Sequence, residues 1–281
     1  MPRIAVIGDV HANSSSLTSA LAAIRNYSDN NRVAIDKLIF IGDLLTYGVD
    51  VRGTLNLLQE ASAKYDTCII LGNHDQLYLD LICKGASNYY PKLPDWIKES
   101  VDYTLSCVEH NYFLSIPFEF SFAWSQLYFA HANSSAILNG EPDWSYINSL
   151  SDHSTNLSTL MSRNYAVGVF GHTHRKRLFL SEQGGLTGTF LDLDSNCSWV
   201  LDLSGGQSAI INVGSIGQPR SAKDLRPTFL LLEMSDSDQI EQLQVSFVSY
   251  DYDLFNHIDS INRTAFSDEV KSRLVSFFYP N

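Results

Sequence analysis

RIAVIGDVHANSSS, residues 3–16, runs from an apolar stretch through Gly-Asp into a polar turn and a serine cluster. Residues 2–7, apolar apart from Arg3, end at Gly8 and read as a buried strand. Leu17, Leu21 and Ile24 then recur at helical spacing behind the serines, which predicts a helix over 14–27. The same unit returns twice. DKLIFIGD (36–43) precedes a helical pattern over 50–64 carrying Val51, Leu55 and Leu58, and DTCIILGNHD (66–75) reads as a third strand. Strands alternating with helices predict βαβ units and parallel pairing.

Beyond residue 75 the pattern changes. Residues 76–116 are rich in aromatics, with helical stretches at 76–84 and 95–109 broken by YYPKLP. FEFSF and SQLYFAH read as a hairpin. Residues 134–164 are rich in Ser and Asn, with two weak helical pieces, and YAVGVFGHTH (165–174) is another strand ending in glycine. From 176 onward the chain reads as β-rich, with a short helical segment at its end. No period recurs. The expectation is one α/β domain over 1–281, with 76–116 and 134–164 as excursions that cover a site.

Composition narrows the partners. A net charge of −12, from 31 acidic against 19 basic residues, argues against broad nucleic-acid binding, which needs a basic face. No apolar run approaches the length of a membrane span, and the opening run is too short for a signal peptide. A cytoplasmic protein with no membrane partner is the expectation. Cys68, Cys83, Cys107 and Cys197 form no C-x-x-C pair, and four cysteines in 281 residues do not make a disulfide framework. Cys68, inside TCIILG, reads as a small core residue.

The strand ends carry the chemistry. They bring Asp9 and His11, then Asp43, then Asn73, His74 and Asp75, then His131, then His172 and His174. In α/β sheets ligands bind outside the carboxyl ends of the strands, so residues distant in sequence can converge at one rim. Asp, Asn and His without Cys suit Mn, Fe, Zn, Co or Ni. Asp9, His11, Asp43, Asn73, His131, His172 and His174 are more ligands than one ion takes. They point to two divalent or trivalent ions sharing a carboxylate, which together clamp the attacking and leaving oxygens of an in-line displacement.

In this order, GDVHAN, GDLLTYG, GNHD, FAHAN and GHTH resemble the motif series of the calcineurin-like metallophosphoesterase superfamily. The later NVGSIGQPR (212–220) resembles a glycine-rich segment of its bacterial phosphodiesterase-like branch. The resemblance implies a four-layer α/β/β/α sandwich with a small helical cap insertion. It implies one metal held by Asp9, His11, Asp43 and His174, and a second by Asp43, Asn73, His131 and His172, with Asp43 bridging. It makes His74 the catalytic group beside the phosphoryl or leaving oxygen, and Asp75 the residue that orients His74 through a hydrogen bond. Arg220 is a candidate phosphate contact. Asn13, Asn133 and Asn212 read as braces of the strand-end turns, and His110, His153 and His257 as surface or internally satisfied histidines.

The function so implied is hydrolysis of a phosphate ester, a small phosphodiester or a nucleotide, by in-line attack of metal-bound hydroxide. Tyr47 stands where Ser/Thr protein phosphatases of the superfamily carry Arg, and Asp75 where they carry Glu. Alternatives are a dinucleoside polyphosphate hydrolase, a protein phosphatase, or a non-catalytic module that binds nucleotides or serves as a scaffold. The retromer subunit of this fold, without the catalytic His, is such a scaffold.

Overall fold

The computed structural model describes residues 1–181, 185–191, 193, 196–220, 224–236 and 239–279. β1 (Arg3–Ile7), α1 (Ser14–Asn31), β2 (Lys37–Phe40), α2 (Val51–Lys64) and β3 (Thr67–Ile70) realise the three repeated strand–turn units of the sequence. α3 (Asn73–Lys84), α4 (Asp95–Cys107) and α5 (His110–Ser115) lead to β4 (Phe118–Glu119). Next come β5 (Ser121–Trp124), β6 (Leu127–Ala130), α6 (Ala136–Asn139), α7 (Leu150–Met161) and β7 (Val167–Phe170). The β-rich remainder holds β8 (Lys176–Ser181), β9 (Gly188–Leu191), β10 (Cys197–Asp202), β11 (Ser208–Val213), β12 (Thr228–Met234) and β13 (Gln242–Ser249). Two helices close the chain, α8 (Leu254–Arg263) and α9 (Asp268–Ser276). In the expected strand LTGTFLDL, Asp192 lies outside the described residues.

The strands form two sheets, β10-β13-β12-β1-β2-β3-β4 and β5-β6-β7-β11-β8-β9. In the first, β1 through β4 run parallel; in the second, β6, β7 and β11 do. Strand alternation assigns the cores. Ile4 and Val6 of β1 join Phe129, Val169 and Ile211 between the sheets. Ala5 and Ile7 face the other way, onto Leu17 and Ala20 of α1 and Leu55 and Leu58 of α2. Across the second sheet, Tyr128, Ala130 and Phe170 pack on Leu157 and Leu160 of α7. No helix among the described residues is long and apolar enough to cross a membrane.

Three expectations change. FEFSF does not form one arm of a hairpin: Phe118 and Glu119 pair with β3 in the first sheet, while β5 pairs with β6 in the second. The chain passes between sheets at Phe120. Second, Asn73, His74 and Asp75 lie on the first turn of α3, because Asp75 caps that turn by accepting the Gly72 N–H at 3.0 Å. Third, 76–116 does more than cover a site, since Leu77 and Tyr78 of α3 are buried in the helix-side core.

Candidate metal centre

Five of the motif residues sit at one kind of backbone position. Asp9, His11, Asp43, His172 and His174 have φ of 49°, 48°, 54°, 64° and 59°. Residues with a Cβ avoid this left-handed region, at roughly 1–3 kcal/mol each, so the loops are held there by their surroundings. The turn lets each strand end aim its side chain across the rim. Gly42 and Gly72 make room for the approach. A Cβ on Gly42, itself at φ 89°, would strike the His131 ring, and one on Gly72 would strike the Asp43 carboxylate.

The rim collects Asp9, His11, Asp43 and His174 in one group of possible ligands, and Asp43, His131 and His172 in another. Asp43 Oδ2 belongs to both: it is 3.9 Å from His11 Nε2 and 3.3 Å from His131 Nε2. Asp9 Oδ1 lies 3.4 Å from His174 Nε2, and Asn73 Oδ1 lies 3.2 Å from His131 Nε2. All seven residues are buried.

The other ring nitrogens are bonded to backbone. Nδ1 of His11, His131 and His174 donates to the carbonyls of Leu45, Ile41 and Gln218 at 3.0, 2.7 and 2.9 Å. That leaves an Nε2 lone pair facing the cluster on His11 and His174, with a backbone partner fixing each ring as in metal-binding histidines, while His131 Nε2 faces Asp43 Oδ2 at 3.3 Å. His172 is reversed: Nε2 donates to the Trp144 carbonyl at 2.9 Å, so Nδ1 is its free nitrogen. Two such lone pairs, on His11 Nε2 and His174 Nε2, meet at 3.1 Å, and Asp9 Oδ2 is buried without a partner among the described residues. Facing lone pairs and an orphaned carboxylate oxygen are what a cation would satisfy, so the donors present fit transition-metal ions.

Protonation follows the same logic. Burial lowers His11 and His172 to about 3 and takes His174 well below its ordinary range, so these three are neutral, the ligating form. Burial raises Asp9 to about 8, aided by the like charge of Asp43. Burial alone would lower His131, yet the Asp43 and Asp9 carboxylates outweigh it and raise it to about 9. Burial would likewise raise Asp43, but His131 beside it holds it well below the carboxylate range. Without an ion, His131 therefore carries a proton where positive charge is needed.

Asp75 does not reach His74, contrary to the sequence expectation. Its carboxylate accepts the N–H groups of Asp43 (2.8 Å), Leu44 (3.0 Å) and Gly72 (3.0 Å). Adjacent residues on a helix point in different directions, so Asp75 braces the Asp43 turn while His74 faces the cleft. The His74 N–H donates to Asp43 Oδ1 at 2.9 Å. Asn13 caps α1 by accepting the Ser16 N–H and also donates to the Gly217 carbonyl, Asn133 donates to the carbonyls of Asp143 and Ser145, and Asn212 donates to the Gly171 carbonyl. His153 is buried and bonded to the Ser149 carbonyl, His257 is buried, and His110 is exposed.

A cleft of ≈ 330 Å³ opens on the centre, lined by Asp43, Asn73, His74, His172, His174 and Arg220 and walled by Tyr47, Tyr89, Trp96, Tyr146 and Phe277. Among the described residues the Arg220 side chain donates from Nη2 to Gln218 Oε1 at 2.6 Å and stands over the Phe277 ring, and its Nε is buried without a partner. Sequence reasoning missed four participants: Tyr47, the Trp144 carbonyl, Tyr146 stacked on His172 at 4.1 Å, and Phe277. Only the Tyr47 position carried a signal, by replacing an expected Arg.

Over 98% of its length, and 99% of the other chain, this chain superposes on a metallophosphoesterase from Sphaerobacter thermophilus (TM-score 0.69, 19% identity). It also superposes on a hypothetical protein from Pyrococcus horikoshii OT3 (TM-score 0.71, 16% identity, 100% and 98% covered). In sequence it is similar to an uncharacterized protein of Methanocaldococcus jannaschii, 25% identical over 96% of this chain and 93% of the other. These likenesses speak to the fold. The sequence profile described as calcineurin-like phosphoesterase matches residues 2–176, more than half of the chain and every strand-end motif from Asp9 to His174. The chain therefore belongs to the calcineurin-like phosphoesterase family, metal-dependent hydrolases of phosphate esters.

Proposed function

We propose that the chain is a two-metal phosphoesterase whose substrate is a small phosphodiester or a nucleotide. The observation that carries this reading is one oxygen, Asp43 Oδ2, lying within 3.9 Å of His11 Nε2 on one side and 3.3 Å of His131 Nε2 on the other. Asp9, His11, Asp43 and His174 would hold one ion. Asp43, Asn73, His131 and His172 would hold the second. When bound, a pair of ions supplies Lewis-acid polarisation of the phosphoryl group and activation of water near neutral pH.

The protein's own groups do the rest. Asp75 keeps the Asp43 turn rigid through its three amide bonds. His74 faces the cleft and presents a ring nitrogen to the oxygen that leaves phosphorus. Arg220, its Nε unpartnered among the described residues, offers its guanidinium to a phosphate oxygen. The segments 76–116 and 134–164 supply aromatic walls through Tyr89, Trp96 and Tyr146, and substrate selection rests with them.

The test is a panel of monoesters, diesters, cyclic nucleotides and dinucleoside polyphosphates, run with Mn and with metal analysis of the same sample. Metal-dependent turnover of a diester or nucleotide is expected; no turnover across the panel overturns the reading. His74→Ala should keep its metals and lose about 10²- to 10⁴-fold in kcat. Loss of metal in that variant would make His74 a ligand instead.

A further inference from the structure

The lining of the cleft falls into two parts. Asp43, His172 and Arg220 stand on the polar part, where a phosphate would sit. The other part is aromatic and aliphatic, and includes Tyr89, Trp96, Tyr146 and Phe277 with Leu93 and Ile97. A volume of ≈ 330 Å³ is at the small end for ligand clefts, so the occupant is one small molecule. A phosphate with short alkyl arms would leave the apolar wall facing water.

Three of the cleft's rings pack on one another. Trp96 lies 5.9 Å from Tyr47 and 6.2 Å from Phe277, and Tyr47 lies 6.5 Å from Phe277. Tyr89 and Tyr146 differ: they are 47% and 49% exposed, and they join no core cluster among the described residues. Tyr89 precedes α4 and stacks on no other ring among the described residues. Neither hydroxyl has a hydrogen-bond partner there. Tyr146, between α6 and α7, lays one face on the His172 imidazole at 4.1 Å, with the planes 19° apart. Its other face is left open beside a candidate metal ligand.

We propose that the substrate is a nucleotide ester whose base is held by Tyr89 and Tyr146, with its phosphate at the metal rim beside Arg220. A nucleobase brings a flat π-face for the rings to stack on and polar edge atoms for the phenol hydroxyls. Every base has such a face, so stacking selects for a base as such more than for one base over another. The proposal deepens the function given above and rests on it for the place of the phosphate.

The test compares thymidine and deoxyadenosine 5′-(p-nitrophenyl phosphates) with the same ester of 1,2-dideoxyribose, which lacks the base. All of them release p-nitrophenol from the same kind of phosphodiester, so a difference in kcat/KM reports the base. With the manganese-loaded protein, at least one base-bearing ester should be favoured by about 5-fold or more, the lower end for one base–aromatic stack. Tyr89→Leu should bring that preference below twofold and Tyr89→Phe should keep it, with metal content unchanged in both. A smaller preference in the parent, or one that survives Tyr89→Leu, overturns the proposal, while turnover of the esters leaves the hydrolase reading standing. Binding is read separately by calorimetry, with the two nucleoside 5′-monophosphates against 1,2-dideoxyribose 5-phosphate. If no ester is turned over, yet a nucleotide binds about 5-fold tighter than the baseless phosphate and Tyr89→Leu abolishes the difference, the hydrolase reading falls and base recognition stands. Equal affinities in that case overturn both.

Discussion

Asp75 shows how a residue can matter to a site without touching its chemistry. Three amides converge on one buried carboxylate and fix the loop that carries Asp43. An amide side chain cannot replace it, because its NH₂ would face an N–H. Asp75→Asn should therefore weaken metal binding at least tenfold and lower stability by about 1–3 kcal/mol, the cost of an unsatisfied buried donor. Activity should return as manganese is raised. Activity still lost at saturating metal would instead give Asp75 a direct part in the reaction. The sequence placed Asp75 next to the right histidine, but adjacency in sequence is not contact on a helix. The start of α3 at Asn73, which turns the two side chains apart, could not be read from LGNHD, because Gly72 serves equally to end a strand or to cap a helix.

Among the elements, α8 and α9 are the least expected contributors. Read only as a short helical end, they bury Ile261, Phe266, Val270 and Leu274 in one cluster with Tyr47. This link between the cleft and residues more than 200 positions downstream rests on aromatic stacking that no local pattern encodes. α8 also buries His257 between Tyr252 and Phe278. Burial depresses this imidazole from 6.5 to about 4. The unfolded chain thus binds a proton below about pH 6.5 that the native state refuses until about pH 4, and acidification favours unfolding. The stabilising contribution is complete above about 6.5 and is lost as pH falls toward 4, at up to about 1.4 kcal/mol per unit for one such group. Tm of the parent should fall more steeply over that window than Tm of His257→Leu, both followed by calorimetry. Parallel profiles would contradict this.

At the scale of the whole molecule, the parallel strands explain why seven candidate ligands distant in sequence meet. β1, β2 and β3 of one sheet and β6 and β7 of the other all end at the rim, delivering Asp9 and His11, Asp43, Asn73, His131, and His172 and His174 in chain order. This much was legible, because each strand is a short apolar run closed by glycine or by a ligand. The division of FEFSF between two sheets was not, since alternation alone does not say which sheet a strand joins. In the function proposed above, the rim works as a pair of metal sites sharing Asp43. This is tested most directly by titrating metal-free protein with Mn²⁺ while following hydrolysis of bis-p-nitrophenyl phosphate. No turnover is expected without metal, with a plateau at two ions per chain; a plateau at one ion, or no turnover at any stoichiometry, would overturn that proposal.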